Sequence, residues 1–353
     1  MNRKDYYDFV NVAKLILAVS IVAMHSALVS RYSCLMTLIC RLGVPFFFVA
    51  SGFFLQKKCS FNQTGAAVKG YLKRLLLPYA VFSVIWIVQQ LIDFSVDRVC
   101  FRKSIIQIVQ MILFYPGGAL WYVWASMIAV LMLYPFMLKK KLIHALPLGI
   151  ALFMIGLLAN NYYFLAASSS WLKPLVDGYL KICLVSNNAP FVGFVFLLIG
   201  MLLSEHYEMI TETMGIKTGF ALLFFSCVLL LFENSYIKNK DFNVGDGAFY
   251  LSQLVYVPAA FFLSTRIRCR NISRAMAILA KNLSTGIYFL HLPILWIIRR
   301  SAKLLLPRVP GLSRIAPYFD HPSVCFVSCL ALCLLICLLA YRRPKSFLCR
   351  ILK

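Results

Sequence analysis

The chain has 353 residues, of which 61% are hydrophobic and only 14% charged. Soluble domains run at about 45–50% apolar and about 25% charged, so a soluble globular protein is excluded and an integral membrane protein is expected. A formal net charge of +24 raises nucleic acid as a partner, but the cations punctuate apolar runs and read as topology markers instead.

The first apolar run, about 9–29, carries Lys14 and His25 as its ionisable side chains. Ionisable groups at membrane depth are costly, so by default they mark function. Their spacing brings both to nearly one helix face, about 16 Å apart along the axis. Arg3 and Lys4 precede the run as in a signal peptide. The run is too long for a signal core and lacks a small-x-small cleavage site, so a retained span is expected.

The second run, 34–56, reads Arg41-Leu-Gly-Val-Pro-Phe-Phe-Phe-Val-Ala-Ser-Gly-Phe53. Arg41 stays charged and needs an anion, carbonyls or a wet cavity, or else snorkels to the headgroups. Pro45 and Gly52 weaken the helix, as is tolerated where backbone lines a cavity. Ser51 lacks the Gly-x-Ser-x-Gly context of a serine nucleophile. Lys69, Lys73 and Arg74 precede the third run, 75–95. Such a cluster either fixes topology at the headgroups or forms a mouth for a phosphorylated molecule.

The stretch 104–116, closed by Tyr-Pro-Gly-Gly, reads as a partial or interfacial helix before the run 119–138. Trp121 and Tyr122 stand where an outer aromatic belt would lie, or where rings could stack on a sugar. Further runs cover 142–160, 189–205, 219–235 and 248–265. The run 283–299 carries Ser284, Tyr288 and His291 at i, i+4, i+7, one polar stripe on an apolar helix. Either it lines a cavity or His291 is a buried histidine bonded within the bundle. The last run, 323–341, has Cys325, Cys329, Cys333 and Cys337 four apart, read as a stripe of small side chains at a helix contact or toward lipid. No metal site is expected.

The reading is an all-α, polytopic transmembrane helical bundle of about 10 spans, one domain over 1–353 with no separate soluble domain. Cations gather in alternate connections: Arg3 and Lys4; Lys57, Lys58, Lys69, Lys73 and Arg74; Lys139, Lys140 and Lys141; Lys217 alone; Arg266, Arg268, Arg270, Arg274 and Lys281; and Arg342, Arg343, Lys345, Arg350 and Lys353. That bias puts both termini in the cytoplasm. Arg299, Arg300, Lys303, Arg308 and Arg314 fit least well, and an amphipathic outer helix near 299–322 would explain them.

These segments together resemble acyltransferase family 3, integral membrane enzymes that acylate cell-surface polysaccharides and glycolipids. The resemblance covers about 5–341. It rests on Lys14 and His25 as a basic-x10-His pattern, on the Arg41 to Phe53 segment, and on Tyr71-Leu-Lys-Arg-Leu-Leu-Leu-Pro78-Tyr79. Leu120-Trp121-Tyr122 and the Ser284-x-x-x-Tyr288-x-x-His291 segment complete it. Two departures stand out. Lysine replaces the usual arginine at position 14, keeping a point charge but losing the planar fork. The hydrolase-like extracytoplasmic domain that some members carry is not expected.

The resemblance implies transfer of an acyl group, acetyl foremost, from a cytoplasmic acyl-CoA to a hydroxyl of a cell-surface polysaccharide or glycolipid. Acyl-CoA is then a co-substrate, with no bound cofactor. It implies His25 as general base, Lys14 near the donor, Arg74 and Lys73 on the nucleotide end, and Arg41 and His291 around the cavity, with Ser284, Tyr288, Trp121 and Tyr122 at the substrates. The expected location is the plasma membrane of a bacterium, with lipid and a glycan acceptor as partners and no nucleic acid. The alternative is a transporter or flippase of an envelope precursor using His25 and Lys14 for coupling or passage.

Overall fold

The computed structural model describes residues 7–29, 34, 36–59, 63–96, 101–114, 116–240, 247–267, 272–304, 318 and 320–352. In chain order they form α1 (Asp8–His25), α2 (Arg41–Cys59, entered through a π-helical turn at Met36–Cys40), α3 (Thr64–Val96), α4 (Phe101–Phe114) and α5 (Leu120–Leu138). Then come α6 (Leu146–Leu158), α7 (Tyr163–Ala167), α8 (Leu172–Cys183), α9 (Phe194–Glu205, after a π-helical turn at Ala189–Gly193) and α10 (Tyr207–Thr213). The last helices are α11 (Ile216–Lys238), α12 (Gln253–Arg266), α13 (Arg274–Leu304), α14 (Pro322–Arg342) and α15 (Phe347–Ile351). No strand occurs among the described residues.

Among the described residues seven helices, α1, α2, α3, α5, α11, α13 and α14, are long and apolar enough to cross a membrane. The pair α9 and α10, bent by 75° at the break between them, makes an eighth if it is one span. This is a membrane protein. Among the described residues each of the ten apolar runs contributes a helix, but three of these are short, with α6 at 13 residues, α9 at 12 and α12 at 14. Val84, Phe225 and Phe232 are 62–71% exposed on α3 and α11, as expected of helices bathed in hydrocarbon. Of the stretch 104–116, residues 104–114 lie in α4, a 14-residue helix that starts at Phe101. Of the outer helix expected near 299–322, residues 299–304 instead continue α13, while 305–317 and 319 lie outside the described residues. So do Arg3, Lys4, Arg268, Arg270 and Lys353 among the topology markers.

Helix α3 has 33 residues, about 50 Å against a hydrocarbon core of about 30 Å. Its first turns carry Lys69, Lys73 and Arg74, all exposed. The three cations are therefore helical, and the helix is long enough to hold them clear of the hydrocarbon.

The chain divides into two compact units, Met1–Gly43 with Ile267–Lys353, and Val44–Arg266. In the first, α1 packs along α13 and α13 packs along α14. The stripe of Cys325, Cys329, Cys333 and Cys337 is wholly buried and lies against α13. The Cys329 thiol donates to the His291 carbonyl at 3.4 Å, and a side chain at Gly286 would strike Cys337. The stripe is therefore a helix contact. The start of α2 is tied to α1 by the Cys40 thiol on the Ser20 carbonyl at 3.5 Å and by Gly43 against Ile21.

The second unit is built on a crossing of α2 and α9. A Cβ on Gly52 would overlap the Leu197 carbonyl, and one on Gly200 would overlap that of Val49. Two glycines thus let the backbones touch, which small residues permit in membrane bundles. Phe48, Phe53, Leu133, Phe153, Phe196, Met201 and Phe261 fill the surrounding core. Gly52 does not break α2, which runs unbroken through both Pro45 and Gly52. A polar staple holds α12: the Glu233 carboxylate accepts from the Tyr162 hydroxyl at 2.6 Å and from the amides of Leu251 and Ser252 at 2.5 and 2.8 Å. Those amides lie in the turn just before α12, so the carboxylate fixes the entry of the chain into that helix. Helix α5 begins after Pro116-Gly117-Gly118, where Gly118 takes φ +65°, a conformation that favours glycine.

Candidate functional site

His25 is the last residue of α1, and the part of the apolar run beyond it, to residue 29, is a turn and not further helix. The Ser26 amide donates to the Val22 carbonyl at 2.9 Å, the Ala27 amide to Met24 at 3.0 Å, and the Leu28 amide to Ala23 at 3.0 Å. This six-to-one and five-to-two pattern closes a helix with a left-handed residue. Here that residue is Ala27, at φ +62°, where glycine would be unstrained. The carbonyl of His25 itself accepts from Arg299 Nη2 at 2.8 Å. His25 is exposed and Lys14, on the same helix, is half-buried.

Helix α13 brings His291 to His25, with ring centroids 5.3 Å apart and planes tilted by 38°. His291 is fully buried. Its Nδ1 lies 2.7 Å from the Tyr288 carbonyl and 3.1 Å from that of Ile287. A nitrogen so placed must carry the proton, which leaves Nε2 as the lone-pair nitrogen of the neutral ring. That Nε2 is buried and meets no hydrogen-bond partner among the described residues. The Tyr288 ring lies 6.0 Å from that of His291. Ser284, also buried, donates to the Lys281 carbonyl of its own helix at 2.7 Å. The polar stripe of the sequence is thus a buried face, with its histidine against the one in α1. Arg41, half-buried, opens α2 in this same unit.

The other expected site residues belong to the second unit. Lys73 and Arg74 are exposed on α3, and the Arg74 guanidinium lies 5.7 Å from the Tyr71 ring centroid. Tyr122 is half-buried. Its hydroxyl donates to the Phe47 carbonyl at 3.1 Å and pairs with the Ser51 hydroxyl at 2.8 Å. Its ring packs on Phe48 at 4.6 Å, and Trp121 meets Phe48 at 6.0 Å. Both rings therefore pack on α2. Ser51 is held by a phenol. The hydroxyls of Tyr71 and Ser126 lie beside this pair, buried and without a partner among the described residues. An unpaired buried hydroxyl costs about 1–3 kcal/mol.

Residues 7–342 match the acyltransferase family 3 model, an acyltransferase domain. The chain belongs to acyltransferase family 3. An amino-acid racemase of Enterococcus faecalis is 25% identical to this family member over an alignment of 218 residues that covers 58% of the chain and 29% of the racemase. No solved structure matches it.

Two residues escaped the sequence reading. Arg299 stood among the outer cations, although its place about two turns after His291 on one continuous helix was the signal that could have found it. Tyr71 entered only as the start of a motif, and nothing in its neighbours announces a buried hydroxyl. His144 and His206 are exposed.

Proposed function

We propose that this family member moves an acyl group, acetyl foremost, from a cytoplasmic acyl-CoA to a hydroxyl of a cell-surface polysaccharide or glycolipid. The observation that carries the reading is the pair of imidazoles at the end of α1, one exposed and one buried, their centroids 5.3 Å apart. His25 takes the proton of the acceptor hydroxyl as its oxygen attacks the thioester carbonyl. The tetrahedral intermediate then collapses, the C–S bond breaks, and the imidazolium returns its proton to the departing thiolate. His291, its Nδ1 turned to the Ile287 and Tyr288 carbonyls, holds the neighbouring ring. Arg299 and Lys14 supply positive potential on the same unit, of the kind that steadies a developing oxyanion. Lys73 and Arg74 hold the donor's phosphates as exposed cations. Ser284, Tyr288, Arg41, Trp121 and Tyr122 shape the substrate-bearing surfaces. Both termini lie in the cytoplasm of a bacterial plasma membrane, in keeping with the bias of the basic connections.

The test is acyl transfer by purified protein in lipid nanodiscs. His25→Ala lowers the rate by at least about a hundredfold, while expression and membrane insertion persist. Full activity with alanine at position 25 would falsify the mechanism. A second reading draws on the likeness to the racemase, a protein named for amino-acid chemistry. In it, the bundle binds or passes an amino acid. It predicts uptake of labelled amino acid into vesicles with no covalent modification of any acceptor.

A further inference from the structure

The hydroxyls of Tyr71 on α3 and Ser126 on α5 belong to residues 6% and 0% exposed, and neither meets a hydrogen-bond partner among the described residues. Both lie close to the bonded Ser51–Tyr122 pair of α2 and α5, and to each other, without reaching bonding geometry. Four hydroxyls from three helices thus converge at one buried point. A hydroxyl there is worse placed than the methyl or hydrogen that could replace it, unless something polar arrives to meet it. On α3 the exposed Arg74 lies within a turn of Tyr71, its guanidinium 5.7 Å from that ring, and the exposed Lys73 precedes it. Cations therefore stand at the surface and neutral hydrogen-bonding groups lie below them.

That order matches one molecule with phosphates at one end and an uncharged, amide-bearing arm at the other. An amide presents both a carbonyl acceptor and an N–H donor, and a hydroxyl answers either. A phosphate would not settle among the hydroxyls, because the charge that suits it is at the mouth. We propose that Tyr71, Ser126 and the Ser51–Tyr122 pair form a buried subsite for the amide-bearing arm of the acyl-CoA donor, entered past Arg74 and Lys73. This rests on the acyl-CoA reading given above, and it adds the residues that recognise the arm.

The experiment measures binding of CoA, and of the same nucleotide truncated after its phosphates, to full-length protein in nanodiscs. Tyr71→Phe and Ser126→Ala each weaken CoA by about five- to tenfold, the worth of one neutral hydrogen bond or slightly more. Both leave the truncated nucleotide within about twofold, whereas Arg74→Gln weakens the two ligands together. Without ligand, Tyr71→Phe and Ser126→Ala melt at or above the wild-type temperature, since each removes an unpaired group. Equal weakening of both ligands, no weakening of either, or a lower melting temperature without ligand would each overturn the subsite. If the wild type binds CoA and the variants bind it equally well, only the subsite falls. If the wild type binds neither ligand, the acyl-CoA reading fails and takes the subsite with it.

Discussion

At His25 the last four carbonyls of α1 each have a partner: three from the turn that follows and the fourth from Arg299. The imidazole is thus mounted on a helix end whose carbonyls are all paired, which is what the proton transfer proposed for it needs when errors of an ångström are costly. In that proposal Arg299 acts as a positioning residue. Its cation also sits at the C-terminal end of α1, where positive charge is favoured. Arg299→Met is expected to lower the acyl-transfer turnover by about tenfold with the donor's KM unchanged, and Arg299→Lys to recover part of it. Equal turnover in all three proteins would remove the role. Ala27, held at φ +62° two residues after His25, is a place where the chain accepts strain beside the histidine.

Among the elements, the crossing of α2 and α9 is the least forgiving. The nearest obstacle to a side chain at Gly52 or Gly200 is a backbone carbonyl, which cannot rotate away. Even Gly52→Ala or Gly200→Ala must push two helices apart, and a loss of about 3 kcal/mol or more is expected. Melting in detergent measures it, and variants as stable as the wild type would show that the helices can separate freely. The short helices α7 and α8 are joined differently. The Asp177 carboxylate accepts from Lys173 Nζ at 2.6 Å and from the Tyr163 hydroxyl at 2.5 Å. The Lys173 ammonium first, and the Tyr163 hydroxyl second, hold Asp177 below its ordinary value of 3.8. A depressed carboxylate contributes stability that is present above its unfolded value and lost as pH falls through the folded one. Between neutral pH and about pH 3, the wild type should therefore lose melting temperature that Asp177→Asn has already lost at pH 7. Parallel pH profiles for the two proteins would mean that this cluster plays no part.

At the scale of the whole molecule, the apolar runs and the cations between them carry different information. The runs supply helices, and seven of these have the length and composition of spans. The cations supply orientation. Reporter domains fused after Lys141 and after Leu352 are expected to report the same, cytoplasmic face. Opposite faces would reverse the assignment of one half of the bundle. The long α3 fits this arrangement, since its 33 residues give Lys69, Lys73 and Arg74 room beyond the hydrocarbon.

Membership in the family and the all-helical class were legible in the sequence, because twenty-residue apolar runs and ordered short motifs are local properties. The pairing of Ser284, Tyr288 and His291 on one face was legible for the same reason, being fixed by helical period alone. What α1 does at its end was not, since the stop at His25 depends on a left-handed Ala27 and on a guanidinium 274 residues away. Nor could spacing reveal that Gly52 meets the Leu197 carbonyl and not a cavity, or that Tyr71 and Ser126 bury hydroxyls with nothing to bond. Those facts belong to contacts between helices far apart in the chain, and apolar helices of equal composition can pack in many registers. Only tertiary packing selects one.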